Sequence, residues 1–313
     1  MRIVDFSAAH IERAAQIAKD NYEEERGFVP TLPPVGSTPS LAEFAKEGQG
    51  VAAEESGELL GYFCWYAPME PHFGFCKGTW SPMHAHGAIG QNRAEIYDRM
   101  YQAAAEKLVP SGVLSHAVTL YAHDAAANGI FFQNGFGGRC VDAIRETHPI
   151  AAPNCGGFSF RQAEESDAEA IAEMNNGLIG HLHQSPIFLP YFGVFSGSDI
   201  QNSMRAKEYQ YFIAVDQNAP VAYIRLQEAG ENFACDDAGM MNISGAYAKP
   251  MVRGKGVAEG LLSFLMDWLR KRGYSRCGVD FESFNFTARK FWLKYFTAYT
   301  ISVVRRIDER ICR

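Results

Sequence analysis

The sequence predicts an α+β protein with a mixed, α/β-type sheet, built as two tandem copies of one unit. Three observations carry that expectation. The order strand, helix, hairpin, long helix, strand, short aromatic helix occurs twice, with matching landmarks about 160 residues apart. Within each copy the apolar period switches between two and about 3.6, as strands and amphipathic helices require. The 313 residues are 47% hydrophobic, which is enough to bury two cores.

The first copy opens with an apolar strand, Ile3 to Phe6, followed by a helix in which Ile11, Ala14, Ala15 and Ile17 share a face. A hairpin, Val51 to Tyr66, turns at Ser56-Gly57. The long helix Asn92 to Leu108 stops at Pro110 and Gly112, and the strand VTLYAH (Val118 to His123) follows. The second copy repeats this. Phe158 to Arg161 leads into a helix with Ala170, Ile171 and Met174 on one face, and the hairpin Tyr211 to Leu226 turns at Gln217-Asn218. The helix Ala258 to Lys271 carries one apolar stripe and stops at Gly273, and GVDFES (Gly278 to Ser283) is its strand. A final strand pair is expected to close each copy. The domains are set at 1–150 and 156–313, joined by HPIAAPNCGG (148–157), which is rich in Pro, Gly and Ala and has no periodicity. RGFVPTLPPVGSTPS (26–40) reads as a long loop over a site or a domain contact. Its aromatic counterpart, HLHQSPIFLPYFGVFSG (181–197), reads as a pocket wall or as a buried loop.

Composition removes whole classes of function. The 47% hydrophobic content is too high for disorder, and the net charge of −7 argues against a dedicated nucleic-acid binder. Even LLSFLMDWL (261–269) is broken by Asp267, so no membrane span is expected. The start, MRIVDFSAAHIERAAQ, lacks a basic flank before an apolar block and predicts no signal peptide. Seven scattered cysteines without C-x-x-C fit reduced thiols, hence a cytoplasmic protein. Monomer and homodimer both remain open.

The most informative run is AYAKPMVRGKGVAEGLL (246–262). A strand ends near Pro250, a tight loop follows, and a helix opens near Val257. Such a loop presents free backbone N–H groups, and the helix dipole adds partial positive charge at the same point. Gly254 and Gly256 allow close approach, and Arg253 and Lys255 add charge. The natural guest is a phosphate or pyrophosphate. A tight turn that merely needs glycine is the plain alternative. The context weighs against it: an amphipathic helix, a strand, and then Asn285-x-x-Ala288-x-x-Phe291-Trp292.

With these residues in view, the second half resembles the GCN5-related N-acetyltransferase (GNAT) superfamily, with its R/Q-x-x-G-x-G/A loop, helix, strand and Asn-led aromatic helix. The first half resembles a decayed copy, so the resemblance is to a tandem-domain member. It implies two tandem GNAT-like acyl-CoA N-acyltransferase domains. It also implies transfer of an acetyl group from acetyl-CoA, as cosubstrate, to a primary amine of a small molecule or protein. Carried onto this chain, Ala246, Tyr247 and Ala248 pair with the pantetheine arm. The segment Arg253, Gly254, Lys255, Gly256, Val257 and Ala258 holds the pyrophosphate, and Asn285 lies near the thiol.

There are departures from the family pattern. Where a strand glutamate often serves as base, alignment places Met240, with Asn242 and Ser244 the nearest polar residues. Asp236, Asp237, Asp280 and Glu282 are other sources of a base, each better read as a solvated turn or strand-edge acid. The family's tyrosine, which protonates the departing thiolate, falls near Trp292, with Tyr295 next in line. The expected catalytic set is therefore Tyr295, Asn242 and the Tyr247 backbone N–H as oxyanion donor, with direct attack in a ternary complex and no covalent intermediate.

In the first half, Asp124-x-x-Ala127-x-x-Ile130-Phe131 matches the Asn-led helix, but HAHGAIGQN (84–92) lacks the basic, glycine-spaced cradle. That half is expected to be a degenerate, non-catalytic partner. His84-x-His86 and His181-x-His183 lack a third ligand nearby, so no metal is expected. Two other functions compete. One is a non-catalytic acyl-CoA-binding sensor or scaffold. The other, weaker, is a dinucleotide oxidoreductase, whose third glycine is replaced here by Glu259.

Overall fold

The computed structural model describes residues 1–151, 155–191 and 193–312; part of the 148–157 joining stretch and Phe192 lie outside them. In chain order the elements are β1 (Arg2–Asp5), α1 (Ile11–Phe28), α2 (Ala42–Lys46), β2 (Gly50–Glu55), β3 (Glu58–Cys64), β4 (Gly78–Ser81), β5 (His86–Ala88), α3 (Arg93–Leu108), β6 (Ser115–Tyr121), α4 (Ala125–Gln133) and β7 (Gly137–Glu146). There follow β8 (Phe158–Gln162), α5 (Ala168–His183), α6 (Gly197–Arg205), β9 (Gln210–Asp216), β10 (Ala219–Gln227), β11 (Met240–Ala248), α7 (Val257–Lys271), β12 (Arg276–Glu282), α8 (Phe286–Trp292) and β13 (Thr297–Arg306). The fold is α+β with mixed parallel and antiparallel pairing, as the sequence predicts. Both hairpins turn where expected. Ser56 and Gly57 have φ of 52° and 86°, Gln217 and Asn218 44° and 72°, the left-handed pairs of a two-residue turn that matches strand twist.

Two compact units result. Unit 1 is Met1–Asp142 with Asn232–Ala234 and Thr297–Arg313; unit 2 is Ala143–Glu231 with Cys235–Phe296. They are not the consecutive runs 1–150 and 156–313. The last strand departs from that division because β13 pairs antiparallel with β6 from Thr300↔Tyr121 to Arg306↔Ser115. Val303 is buried in the same core as Val118, Leu120 and Phe131. Asn232 joins unit 1 through its amide, which donates to Asp142 Oδ2 (3.1 Å) and Tyr299 Oη (3.0 Å).

Within unit 1, β1, β2, β3 and β5 form one antiparallel sheet, and β4 pairs in parallel with β6. The 26–40 stretch packs on α1: Tyr22 Oη donates to the Pro33 carbonyl (2.8 Å), and Val29 and Leu32 are buried.

In unit 2 the strands run β8-β9-β10-β11-β12, antiparallel except for the parallel pair β11–β12. Strand side chains alternate faces. Phe212 lies against Trp268 of α7, with ring centroids 4.8 Å apart. Tyr211, Ile213 and Tyr223 cluster instead with Ile171 and Met174 of α5, and Tyr247 packs on that cluster. The two faces of this sheet are therefore an α7 face and an α5 face.

Candidate active site

The site begins with a defect in a strand. The β11–β12 ladder runs from Met240↔Arg276 to Ile243↔Val279 and ends there, although both strands continue. At the same place the register of β10 on β11 steps from Arg225↔Gly245 to Leu226↔Ile243, so Ser244 is an extra residue. A bulge of this kind bends the strand that carries it. The bend turns Gly245–Ala248 away from β12 while keeping it on β10. Arg225 fixes the bulge: Nε donates to Ser244 Oγ (3.0 Å), Nη2 donates to the Ser244 carbonyl (2.7 Å), and the guanidinium lies 4.5 Å from the Tyr209 ring centroid.

The gap between the splayed strands is a cleft of about 240 Å³. Ala246, Ala248, Ala258 and Leu261 line it on the α7 face, Tyr247, Leu178 and His181 on the α5 face, and Asn285, Thr287, Phe291 and Trp292 at the α8 end. Asn285 is buried and caps α8, its Oδ1 accepting from the Ala288 N–H (3.2 Å) and from Thr287 Oγ1 (2.8 Å).

The loop beyond the cleft has the form of an anion cradle. Gly254 and Gly256 have φ of 75° and 77°, conformations that strain any residue with a Cβ. The Arg253 and Lys255 amides are engaged with the Pro250 and Val252 carbonyls, both at 3.3 Å. Those of Gly254, Gly256, Val257 and Ala258 have no acceptor among the described residues. The N-cap of α7 is Gly256, which offers no side chain to satisfy them. Arg253 and Lys255 are exposed. Arg253 Nε donates to the Ala248 carbonyl (2.9 Å), which ties the cradle to the end of β11. These donors, an adjoining cleft and an open strand edge fit a diphosphate with an extended arm.

The sequence-predicted residues therefore separate. Ala246, Tyr247, Ala248, Arg253, Ala258 and Asn285 line the cleft, and Gly254, Lys255, Gly256 and Val257 build the loop beside it. Two expected catalytic residues are corrected. Asn242 is buried behind the bulge, its amide donating to the Glu228 carbonyl (2.8 Å), and does not reach the cleft. Tyr295 packs on Phe291 (5.4 Å) and beneath Lys294 Nζ (4.9 Å), away from the lining. Asp236, Asp237, Asp280 and Glu282 are also absent from the lining; Asp237 Oδ1 accepts from the Gly239 N–H (2.9 Å). Among the described residues of the aromatic stretch 181–197 only His181 lines the cleft, while Phe188, Tyr191 and Val194 are exposed. Sequence reasoning missed His181 as a site residue. It continues the stripe Ile171, Met174, Leu178 along α5, and a histidine at the end of an apolar stripe was the available signal. Arg225 carried no such signal.

Unit 1 handles the matching stretch differently. Its counterpart of β11 is broken into β4, which stays on β6, and β5, which stays on β3, with Pro82 at the break. His84 and His86 follow the break and are buried; burial lowers the pKa of each to about 4. His86 is held by Tyr97 Oη (3.0 Å) and the Thr119 carbonyl (2.8 Å). Asp124 caps α4 through the Ala127 N–H (3.0 Å), as Asn285 caps α8. Here, however, Arg93 bridges Asp124 (3.2 Å) and Glu24 (2.7 Å), and Glu25 is buried against His123 (2.7 Å).

Residues 162–296 match the profile of the acetyltransferase (GNAT) family. Comparison with curated proteins gives no match. Among solved structures, the chain is similar to a GCN5-related N-acetyltransferase from Sphaerobacter thermophilus, with a TM-score of 0.60 and 13% identity over 97% of this chain and 95% of that one. It is similar at TM-score 0.53 and 12% identity to a GCN5-related glucosamine N-acetyltransferase region in a fungal multi-domain GH3 beta-N-acetylglucosaminidase, covering 97% of this chain and 38% of that one. A tandem GNAT protein from the clavulanic acid biosynthesis pathway aligns at TM-score 0.44 and 11% identity, over 97% of this chain and 98% of that one. For the first two, at such identities, the likeness is one of fold.

Proposed function

We propose that the chain is a GCN5-related N-acetyltransferase and that unit 2, which holds most of the residues matching the GNAT family, moves an acetyl group from acetyl-CoA to a primary amine by direct attack in a ternary complex. One observation carries the reading. The strand edge freed at Ser244 leads straight into a loop whose amides at Gly254, Gly256, Val257 and Ala258 have no acceptor among the described residues. The cosubstrate supplies an activated acetyl thioester; this chain's residues hold it and shape the attack.

In this reading the loop amides and the Arg253 and Lys255 charges bind the diphosphate. The edge Ala246–Ala248 pairs with the pantetheine arm as a missing neighbour strand would. Consecutive strand residues aim their amides in opposite directions, so an N–H in this stretch faces the gap. The Lys249 N–H donates to the Val221 carbonyl (2.9 Å), so in the same register the Tyr247 N–H faces β10 and those of Ala246 and Ala248 face the gap. We assign Ala246, in place of the expected Tyr247, as the donor to the carbonyl oxygen, where a fixed dipole stabilises the charge that develops on attack. Ala246, Ala248 and Leu261 exclude water from the arm. Unit 1 is proposed to be non-catalytic: Glu24, Glu25 and Asp124 around Arg93 would repel an anion where a cradle is needed. The acceptor is a small-molecule or protein amine.

Isothermal titration with CoA tests the reading. Arg253→Glu and Gly256→Trp are each expected to abolish binding that the native chain shows, and unchanged affinity in both removes the assignment. The absence of any carboxylate from the described cleft lining favours a second reading, an acyl-CoA-binding sensor. Release of CoA on adding amines separates the two.

A further inference from the structure

We infer that His181 is the general base that receives the proton of the attacking amine. This rests on the transferase reading above and supplies the group that reading lacks. Among the described residues lining the cleft, the ionisable side chains are His181, Tyr223, Tyr247 and Arg253. A base at neutral pH needs a lone pair and a proton affinity near that of the medium. Arginine has no lone pair to offer. Burial raises the Tyr223 pKa, and its hydroxyl donates to Asn175 Oδ1 (2.9 Å). The Tyr247 ring packs beneath the Arg253 guanidinium, 5.2 Å from its centroid, and offers a phenol O–H where the amine needs a free nitrogen lone pair. The imidazole alone meets the requirement.

Its position suits the task. The anion cradle opens α7, whereas His181 comes from the last turn of α5, on the same side of the helix as Leu178. The acetyl carrier and the imidazole therefore approach the gap from opposite faces of the sheet. An amine that enters from the α5 face meets His181 as it meets the thioester.

The hydrogen bonds also choose the nitrogen. The one hydroxyl proton of Thr287 is donated to Asn285 Oδ1 (2.8 Å). The long contact between Thr287 Oγ1 and His181 Nε2 (3.4 Å) must then have Nε2–H donating, which leaves the lone pair on Nδ1. Burial is the main influence lowering the proton affinity of the ring, the Arg253 charge adds to it, and a hydrogen bond to Asn285 opposes it. From β11 the ring faces Tyr247, from α8 the neutral Asn285 and Thr287, and from its own helix the apolar Leu178. The imidazole is thus neutral and ready at pH 7.

The step balances without any further reagent. The amine nitrogen bonds to the acetyl carbon and the carbon–sulfur bond breaks, its electron pair leaving with sulfur. The nitrogen's proton goes to Nδ1, and the imidazolium returns it to the thiolate. Amine and thioester become amide and thiol.

The test uses the full chain, acetyl-CoA, and tyramine, spermidine and glucosamine as probe amines, with His181→Gln and His181→Asn variants. CoA affinity by calorimetry should stay within about twofold of native, while kcat falls about 100-fold or more and the acid limb of its pH profile disappears. Nitrogen-15 NMR of the native protein should show the Nε2–H tautomer and a pKa below that of free histidine. A native enzyme that turns over, with variants keeping kcat and the acid limb, overturns the base and leaves the transferase reading standing. An Nδ1–H tautomer also overturns the base. A native protein that binds CoA yet releases none with any probe overturns the transferase reading, and the base with it.

Discussion

Acidification from pH 7 to pH 5 should weaken unit 1 through three buried histidines. His84, His86 and His116 are 8%, 3% and 2% exposed, and burial, the first cause for each, brings their pKa to about 4. The ordinary histidine value, 6.5, is that of the unfolded chain. These folded pKa values are depressed, so between the two values the unfolded chain binds protons that the folded one refuses. Stability is therefore full above about pH 6.5 and falls as the pH drops toward 4. At pH 5 the linkage relation gives a loss of about 2 kcal/mol per histidine, so the three together approach the whole stability of an ordinary domain. Burial raises the Glu25 pKa, which acts in the opposite sense, and burial lowers that of His72, which adds to the loss. Hydrogen exchange of the β6 peptide, corrected for intrinsic rates, reads unit 1 alone. We expect its opening free energy to fall by about 3 kcal/mol or more, and His86→Asn to remove about a third of the slope. A β6 opening free energy that moves less than about 1 kcal/mol between pH 7 and 5 would refute the reasoning.

Two further outcomes follow from the splayed strand. Arg225→Met removes two charge-assisted hydrogen bonds to Ser244, at 3.0 and 2.7 Å, and should cost about 2 kcal/mol in urea unfolding and about tenfold in CoA affinity; an unchanged CoA affinity would detach the bulge from the site. In Gly177→Ala the new Cβ would stand 3.0 Å from the Tyr247 ring. The gain in helix propensity, about 1 kcal/mol, then opposes the cost of shifting a packed ring, so stability should change little while the KM for acetyl-CoA rises.

What was legible in the sequence was local. The glycine spacing of 254 and 256, the stripe of α7 and the cap at Asn285 each depend on residues within one or two turns, so their geometry could be read before the fold was known. The pairing of β13 could not, because an alternating strand fits any sheet edge of matching polarity and nothing inside 297–306 names β6 as its neighbour. Asn242 and Tyr295 were assigned by alignment to a pattern. The bulge at Ser244 shifts the facing of every residue around it, and the alternation that buries Asn242 depends on which side of the bulge it lies. His181 was read as half of a His-x-His pair and as the first residue of the aromatic stretch 181–197, with no role of its own. Its partner, His183, turns to the Leu189 carbonyl (2.8 Å), and only the packing of α5 on Tyr247 separates the two.

The two units show why one extra residue matters more to this reading than any single side chain. In unit 2, Ser244 bends a strand that stays continuous, so Gly245–Ala248 keeps its pairing to β10 and presents its other edge to the gap. In unit 1 the same bend is a full break after Ser81, and the buried His84 and His86 fill the space, the ring nitrogens of His86 already spent on Tyr97 and Thr119. A binding edge requires backbone groups that are fixed yet unpaired, an arrangement that costs stability unless the flanking ladder is strong. The ladder from Ala222↔Ala248 to Arg225↔Gly245, anchored by the Arg225 guanidinium, meets that demand in unit 2. The His86–Ala88 edge of unit 1 has only three paired positions, Gly61↔Ala88 to Phe63↔His86, and an ion-paired Arg93 where a cradle would begin. Placing a cradle sequence into 84–92 without restoring a continuous strand should therefore fail to create a second CoA site, because the loop would hang from an edge too short to hold it.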